Sequence, residues 1–269
     1  MNIIKTIYKV VAFAVLIVIG ITTPNSLSQE TTSQSIDSES IADLQKMFDF
    51  ISQSEKISVT TESNYDAPQK SGQFIEFGAI SKWYIKRPNH VRVDIENRDG
   101  DERSFYFDGN SITLYDKNQN VYATVVKKGN LDQAFDYYMD ELDMPMPLAE
   151  LFSEKHPFDI NKSVNSSMYV GESKINGFAC DDLAFRTEEV DLQVWIEQGK
   201  KPLPQRMIIT YKNSPGSPQY RARFSDWNLS PKLKDSLFEF KPPKDAEKIQ
   251  FSPRINKDQI TDGKNKGGQ

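Results

Sequence analysis

Between Arg87 and Val126, apolar and polar residues alternate in four short runs, separated from one another by Asp, Asn or Gly. Alternation at period two sends successive side chains to opposite faces, so each run predicts a strand with one buried and one wet face. Val91, Val93 and Ile95 form the first set and Phe105 with Phe107 the second. Ile112 with Leu114, and then Val121, Ala123 and Val125, complete the series. Asp108-Gly109, between two of these runs, predicts a tight hairpin in which both central residues take positive φ. Upstream, strand character begins at Lys56, and a longer run puts Ile75, Phe77, Trp83 and Ile85 on one parity, with Gly78 as a bulge or kink. Downstream it resumes at Met168 as MYVGESKI, GFACDDLAFRT, VDLQVWIE, PQRMIITYK and YRARFSDW. Asn176-Gly177 is a second strong hairpin signal, and the whole reads as an antiparallel meander.

Two segments change period. From Asp37 to Ser54 the apolar residues Ile41, Leu44, Phe48 and Ile51 recur at three and four, which makes one face of an amphipathic helix. Asp37 or Ser40 is placed to cap it. After Gly129, Leu131, Ala134, Phe135, Tyr138 and Leu142 repeat the helical spacing and run into MPMPLAELF. Pro145 and Pro147 each lack an N–H and constrain the preceding residue, so this becomes a bent helix–turn–helix insertion. LFEFKPP is expected to end the ordered part.

The ends carry a different signal. Lys5 and Lys9 precede an apolar run from Val10 to Ile21, followed by Thr22-Thr23-Pro24 and by Ser26 and Ser28. This has the form of a secretory signal peptide covering residues 1–28, cleaved before Gln29. The apolar run is shorter than the ~20 residues a bilayer span needs, so no stable membrane span is expected once it is removed. No Cys lies near the cleavage region, which argues against a lipoprotein. Residues 29–36 read as a flexible polar leader, 37–251 as one domain and 252–269 as a disordered tail.

Composition narrows the function classes. Without residues 1–28 the chain has 31 basic and 38 acidic residues, a balance of −7, with no basic stripe for nucleic acid. The one cysteine, Cys180, has no partner for an internal disulfide. The two histidines, His90 and His156, have no paired metal-ligand spacing, so no metal or other cofactor is expected. Adjacent carboxylates such as Asp181-Asp182 point to opposite faces of a strand and make no acid–base pair by themselves. No GxSxG elbow and no phosphate-cradling loop is present, and the reading is not an enzyme.

One set of motifs goes further. RPNHVRVD, YFDGNSITLYD with VYA, MPLAELF, YVG, LAFR, LQVWIE, LPQRMIITYK and SDWNL occur in that order. Together they resemble a periplasmic domain-of-unknown-function family, number 2092, over roughly residues 40–251, and beyond it the LolA and LolB lipoprotein carriers. The resemblance implies an α+β, mostly β fold: a strongly curved antiparallel sheet, an unclosed half-barrel, with helices over its concave face. It also implies a periplasmic, non-catalytic carrier or binding protein for a hydrophobic ligand, either an acyl chain, a lipid or a lipidated protein. The alternative is an envelope module that senses or binds a protein partner on the same shell, as a stress-response regulator of this fold does.

On that shell, the aromatic and aliphatic residues of alternating strands are candidates for the ligand face. Ile75, Phe77 and Trp83 would contribute from one strand, Phe105 and Phe107 from another, and Leu192, Val194 and Ile196 from a third. Trp195 falls on the opposite parity, toward the convex face. Methionine adapts to variable apolar partners, so Met139, Leu142, Met144, Met146 and Leu148 are candidates for a lid, with a static plug as the competing role.

Overall fold

The computed structural model describes residues 35–154 and 160–251. The expected signal peptide, most of the leader, the tail and His156 lie outside the described residues. The described chain forms one twelve-stranded sheet in the order β12-β6-β5-β4-β3-β2-β1-β11-β10-β9-β8-β7. Its first half is the meander β1 (Lys56–Pro68), β2 (Phe74–Lys86), β3 (His90–Asn97), β4 (Glu102–Phe107), β5 (Ser111–Asp116) and β6 (Val121–Val126). The second half is β7 (Ser166–Ile175), β8 (Phe178–Arg186), β9 (Val190–Glu197), β10 (Pro204–Tyr211) and β11 (Gln219–Asn228). The two meanders join where β11 pairs antiparallel with β1, and the outermost strands β12 and β7 do not meet, so the sheet is unclosed.

Register aligns the alternating apolar residues into rows across the strands. Ile57, Ile85, Val91, Phe107, Ile112 and Val125 face one another in succession from β1 to β6. A second row runs the other way, from Phe77 through Tyr65, Tyr220, Ile209 and Leu192 to Phe185. Side chains from both halves of the sheet belong to one core cluster together with those of the helices. The sheet curls around that cluster. At the β7–β8 turn, Asn176 Nδ2 donates to the Phe224 carbonyl of β11 at 3.0 Å. Between β8 and β11 lie β9 and β10, which in a flat sheet would separate them by about 14 Å.

The helix α1 (Ser38–Ser52) is capped by Asp37, whose carboxylate accepts from Glu39 N and from the Ser40 hydroxyl. It buries Leu44, Met47, Phe48 and Ile51. Its entry is tied to β7 by a parallel bridge: Ser167 N donates to Ser35 O, and Asp37 N donates to Ser167 O. The insertion starts with α2 (Leu131–Asp136), closed by a reciprocal Asn130–Gln133 capping box. It continues as a π-helical turn over Tyr137–Glu141, crosses Pro145 and Pro147, and re-forms as a 3₁₀ turn at Ala149–Phe152. A short α3 (Ile160–Ser163) precedes β7.

The structure departs from the sequence reading at four places. Asp108 does not take positive φ; only Gly109 does, at 85°. Instead the Asp108 carboxylate accepts from the N–H groups of Asn110 and Ser111, so the turn is a longer loop organised by one side chain. Gly78 is not a bulge relative to β1, since the register runs unbroken through Asn64↔Gly78. A Cβ there would lie 2.7 Å from Arg98 Nε and 2.8 Å from Asn64 Oδ1, so the glycine lets these two side chains approach the strand. The ordered chain does not stop at Pro242-Pro243. It continues to β12 (Glu247–Ile249), which pairs with β6 in parallel, so the sheet is not wholly antiparallel. Before that, the returning segment crosses the convex face, burying Phe238 fully and setting Phe240 among Tyr106, Tyr115 and Tyr122 at 5.0–5.3 Å between ring centroids.

Candidate functional site

Parity alone places all eight candidate ligand-face residues, and the structure separates them into two environments. Trp83, Phe105, Phe107, Leu192, Val194 and Ile196 are buried in the core cluster, under the helices. Ile75 and Phe77 share the face of Trp83 but lie nearer the β1–β2 turn, where they are 41% and 42% exposed. Tyr65, opposite Phe77 and stacked on it at 5.7 Å, is 45% exposed. The apolar row therefore emerges from beneath the helices to an open end without changing face.

The insertion covers the buried part. Phe152 packs on Trp83 at 4.9 Å and Tyr138 packs edge-on to Phe105 at 4.8 Å. Among the lid candidates, Met139, Met146 and Leu148 are buried, while Leu142 and Met144 are partly buried against the same cluster. Beneath lies a patch of small residues that the hydrophobic pattern does not reveal. Thr61, Ser63, Ser81, Ala79 and Ala222 all face inward and are buried. The Thr61 hydroxyl donates to Ser81 O and the Ser63 hydroxyl to Ala79 O, so these polar groups are partnered within the sheet. Small side chains at the middle of a curved sheet leave depth, and their burial means that this depth is filled.

Electrostatically, the two apolar rows are neutral, and charge enters the same face beyond them, at the Arg103–Asp116 ion pair and at Asp181 opposite Ile196. The rows described above carry no charged residue, and burial pushes the Tyr220 hydroxyl up to about 12 and raises that of Tyr138 too. Charges gather instead on the opposite face of the β1–β2 hairpin, where Arg221 pairs with Asp66 and Glu76, and Arg98 with Glu76 and Glu62. At the insertion, Glu150 is the exception. Burial, then the charges of Asp136 and Glu189, push its carboxyl up to about 7.

Arg87 connects the covering elements to the sheet. It follows β2, and its side chain is 8% exposed. Nη2 donates to Phe152 O at 2.8 Å and Nε to Ser54 O at 3.2 Å, with Ile51 O at 3.5 Å. Glu154 stands 3.9 Å from Nη1. One guanidinium thereby holds the end of α1 and the end of the insertion at a single strand turn.

The groups weighed for chemistry are dispersed. Cys180 is fully buried, and burial raises its thiol above the ordinary range, which disfavours the thiolate a nucleophile requires. Among the described residues, no three His, Cys, Asp or Glu side chains converge to hold a metal ion. His90 sits edge-on to Phe238 at 5.2 Å. Trp195 lies on the face opposite Leu192, Val194 and Ile196, with the Arg206 guanidinium 4.8 Å above its ring. No helix among the described residues is long and apolar enough to cross a membrane.

Comparison with known proteins adds the following. A family model described as a predicted periplasmic protein, DUF2092, matches residues 40–252. No curated protein sequence matches the chain. Among solved structures, an uncharacterized conserved protein from Thermus thermophilus aligns at 11% identity over 77% of this chain and 98% of its own, with a TM-score of 0.46. The lipoprotein LppX from Mycobacterium tuberculosis aligns at 14% identity over 74% and 100%, with a TM-score of 0.45. A LolA superfamily protein from Nitrosomonas europaea aligns at 12% identity over 74% and 96%, with a TM-score of 0.38.

Proposed function

The chain belongs to the DUF2092 family of predicted periplasmic proteins, and from that premise we propose that it is a non-catalytic carrier or binding protein whose curved inner face takes a hydrophobic ligand. The observation that carries this reading is the continuous apolar row that leaves the covered core and ends in the exposed pair Tyr65 and Phe77, beside Ile75. An acyl chain, free or attached to a lipid or lipidated protein, would meet these side chains first. It would then pass under the insertion by taking the place of Met139, Met144 and Met146 in the core cluster. The exchange substitutes one apolar contact for another inside the protein. Its driving force is the ligand's removal from water, roughly 0.8 kcal/mol per CH₂. The absence of charge from these rows suits a partner without charge along its length, and the adaptable thioethers suit one of variable shape.

On this reading, Ile75 and Phe77 receive the ligand, Trp83, Phe105, Phe107, Leu192, Val194 and Ile196 line its path, and the segment from Met139 to Leu148 is the lid. The mature protein begins at Gln29, released into the periplasm without a lipid anchor. Native mass spectrometry and solvent extraction of the protein purified from the periplasm without detergent test the proposal. The expected result is a bound lipid and an N-terminus at Gln29. Repeated recovery of an empty protein overturns the carrier role, and a stoichiometric protein partner captured by cross-linking in intact cells would replace it. An acylated or uncleaved N-terminus overturns the released form.

A further inference from the structure

The sheet's other face carries a cavity that the proposed carrier role does not use. It has a volume of about 190 Å³ and lies between β4–β6 and the returning segment Phe238–Pro242. Its floor exists because of strand parity. Phe105 and Phe107, Ile112 and Leu114, and Ala123 and Val125 turn toward the core, so Tyr106, Thr113 and Thr124 must turn outward. An outer sheet face is normally solvated; here Phe238 and Phe240 roof it and leave a hollow with polar walls. We propose that this hollow is a binding site for one neutral sugar ring.

The wall chemistry selects that class. Tyr122, tilted against Phe240 at 5.0 Å, supplies aromatic surface of the kind that packs against the C–H face of a pyranose, while Tyr106 lines the cavity with the Arg92 guanidinium over its ring at 5.0 Å. Hydroxyl and carboxylate groups surround it. Thr113 and Thr124 hydroxyls share one hydrogen bond of 2.8 Å, and Asp108 accepts from backbone N–H groups of its own turn. Tyr106, Tyr122 and Glu239 also line the cavity, and among the described residues no hydrogen bond uses their hydroxyl or carboxylate groups. They leave one set of donors and acceptors available for a ligand that has both, as a sugar does.

Charge excludes the other classes. No cation lines the cavity and two carboxylates do, which repels phosphate or a fatty-acid headgroup. An organic cation is disfavoured too, because the Arg92 guanidinium already occupies the Tyr106 ring at 5.0 Å and would face it as a like charge. The volume falls below the about 300–1,000 Å³ of pockets for drug-sized ligands, which limits the occupant to about one ring.

The ring comes either from a free monosaccharide or from the end of a glycan, and one titration separates them. The full chain, observed by amide NMR, is titrated with glucose, N-acetylglucosamine, maltotriose, choline and inorganic phosphate. Saturable shifts confined to the amides around Tyr106, Thr113, Thr124 and Phe240 are expected with a sugar. Tighter binding of maltotriose than of glucose assigns the source to a chain end, and the reverse to the free sugar. Tyr122→Phe, which deletes one hydroxyl and keeps the ring, should weaken binding about fivefold, and Glu239→Gln at an exposed position should weaken it as well. No saturation with any sugar, shifts unaltered in both variants, or saturation by choline or phosphate instead overturns the proposal. Loss of a co-purifying lipid would leave it untouched, because the two sites lie on opposite faces of the sheet.

Discussion

Replacing Arg87 with methionine should destabilise the protein by about 3–5 kcal/mol, the sum of roughly two lost hydrogen bonds from a charged donor to main-chain carbonyls. The magnitude follows from what the guanidinium reaches. It makes two well-formed hydrogen bonds, to Phe152 O and Ser54 O, and a longer one to Ile51 O, from a side chain that is 8% exposed. Hydrogen bonds to a charged group contribute ~1.5–3 kcal/mol each, and carbonyls left buried without partners cost ~1–3 kcal/mol each. Against this stands the cost of keeping a cation away from water, evident in the lowering of the Arg87 pKa by burial despite the nearby charges of Glu154 and Asp132. Methionine keeps the stem and its packing, so the loss reports the head group. Arg87→Lys retains the charge but lacks the planar fork, and should recover only part of the difference. Urea unfolding followed by circular dichroism measures the change as a lower midpoint at constant slope. A loss below about 1 kcal/mol for Arg87→Met, relative to the range expected for these hydrogen bonds, would refute the claim that this side chain joins α1 and the insertion to the sheet.

Glu150 predicts a pH dependence. Its folded pKa of about 7 lies above the ordinary 4.5, so across that window the folded state retains a proton that the unfolded chain has released. Stability is therefore greatest below the window and falls as pH rises through it, by at most ~1.4 kcal/mol per pH unit; Glu150→Gln should flatten the curve, and an unchanged profile would contradict the assignment. Phe238→Ala, at a fully buried position of the returning segment, should cost about 3–5 kcal/mol in the same unfolding assay. A near-neutral result would mean that the segment is not part of the folded core. Phe77→Ser paired with Tyr65→Ser should leave stability within about 1 kcal/mol, because both positions are more than two-fifths exposed, yet abolish co-purification of an apolar ligand. Retention of the ligand by this double variant would exclude the open end of the row as its point of entry.

Much of the architecture was legible along the chain. The strand signals located β1 to β11, and the helical periods located α1 and α2. The ordered motifs pointed to the family whose model matches residues 40–252. Asn176-Gly177 takes positive φ at both residues, as its composition predicts. Asp108-Gly109 has the same composition and does not, because the aspartate side chain found two backbone donors to bind instead.

What the sequence by itself determined was the side of the sheet on which each residue lies, since pleating is local and repeats every two residues. How far any covering element extends along that side was decided only by the tertiary structure. Ile75 and Phe77 share their parity with Trp83, yet only Trp83 is buried beneath the insertion. The small residues Thr61, Ser63 and Ser81 lie on the inward parity, but their polar side chains do not by themselves mark them as core, and only the tertiary structure shows them buried. Likewise the pairing of β1 with β11, and the return of Phe238 and Phe240 to the convex face, join residues more than a hundred positions apart. Short-range periodicity contains no term for such contacts. They are fixed by which surfaces remain to be buried once the two meanders have curled together.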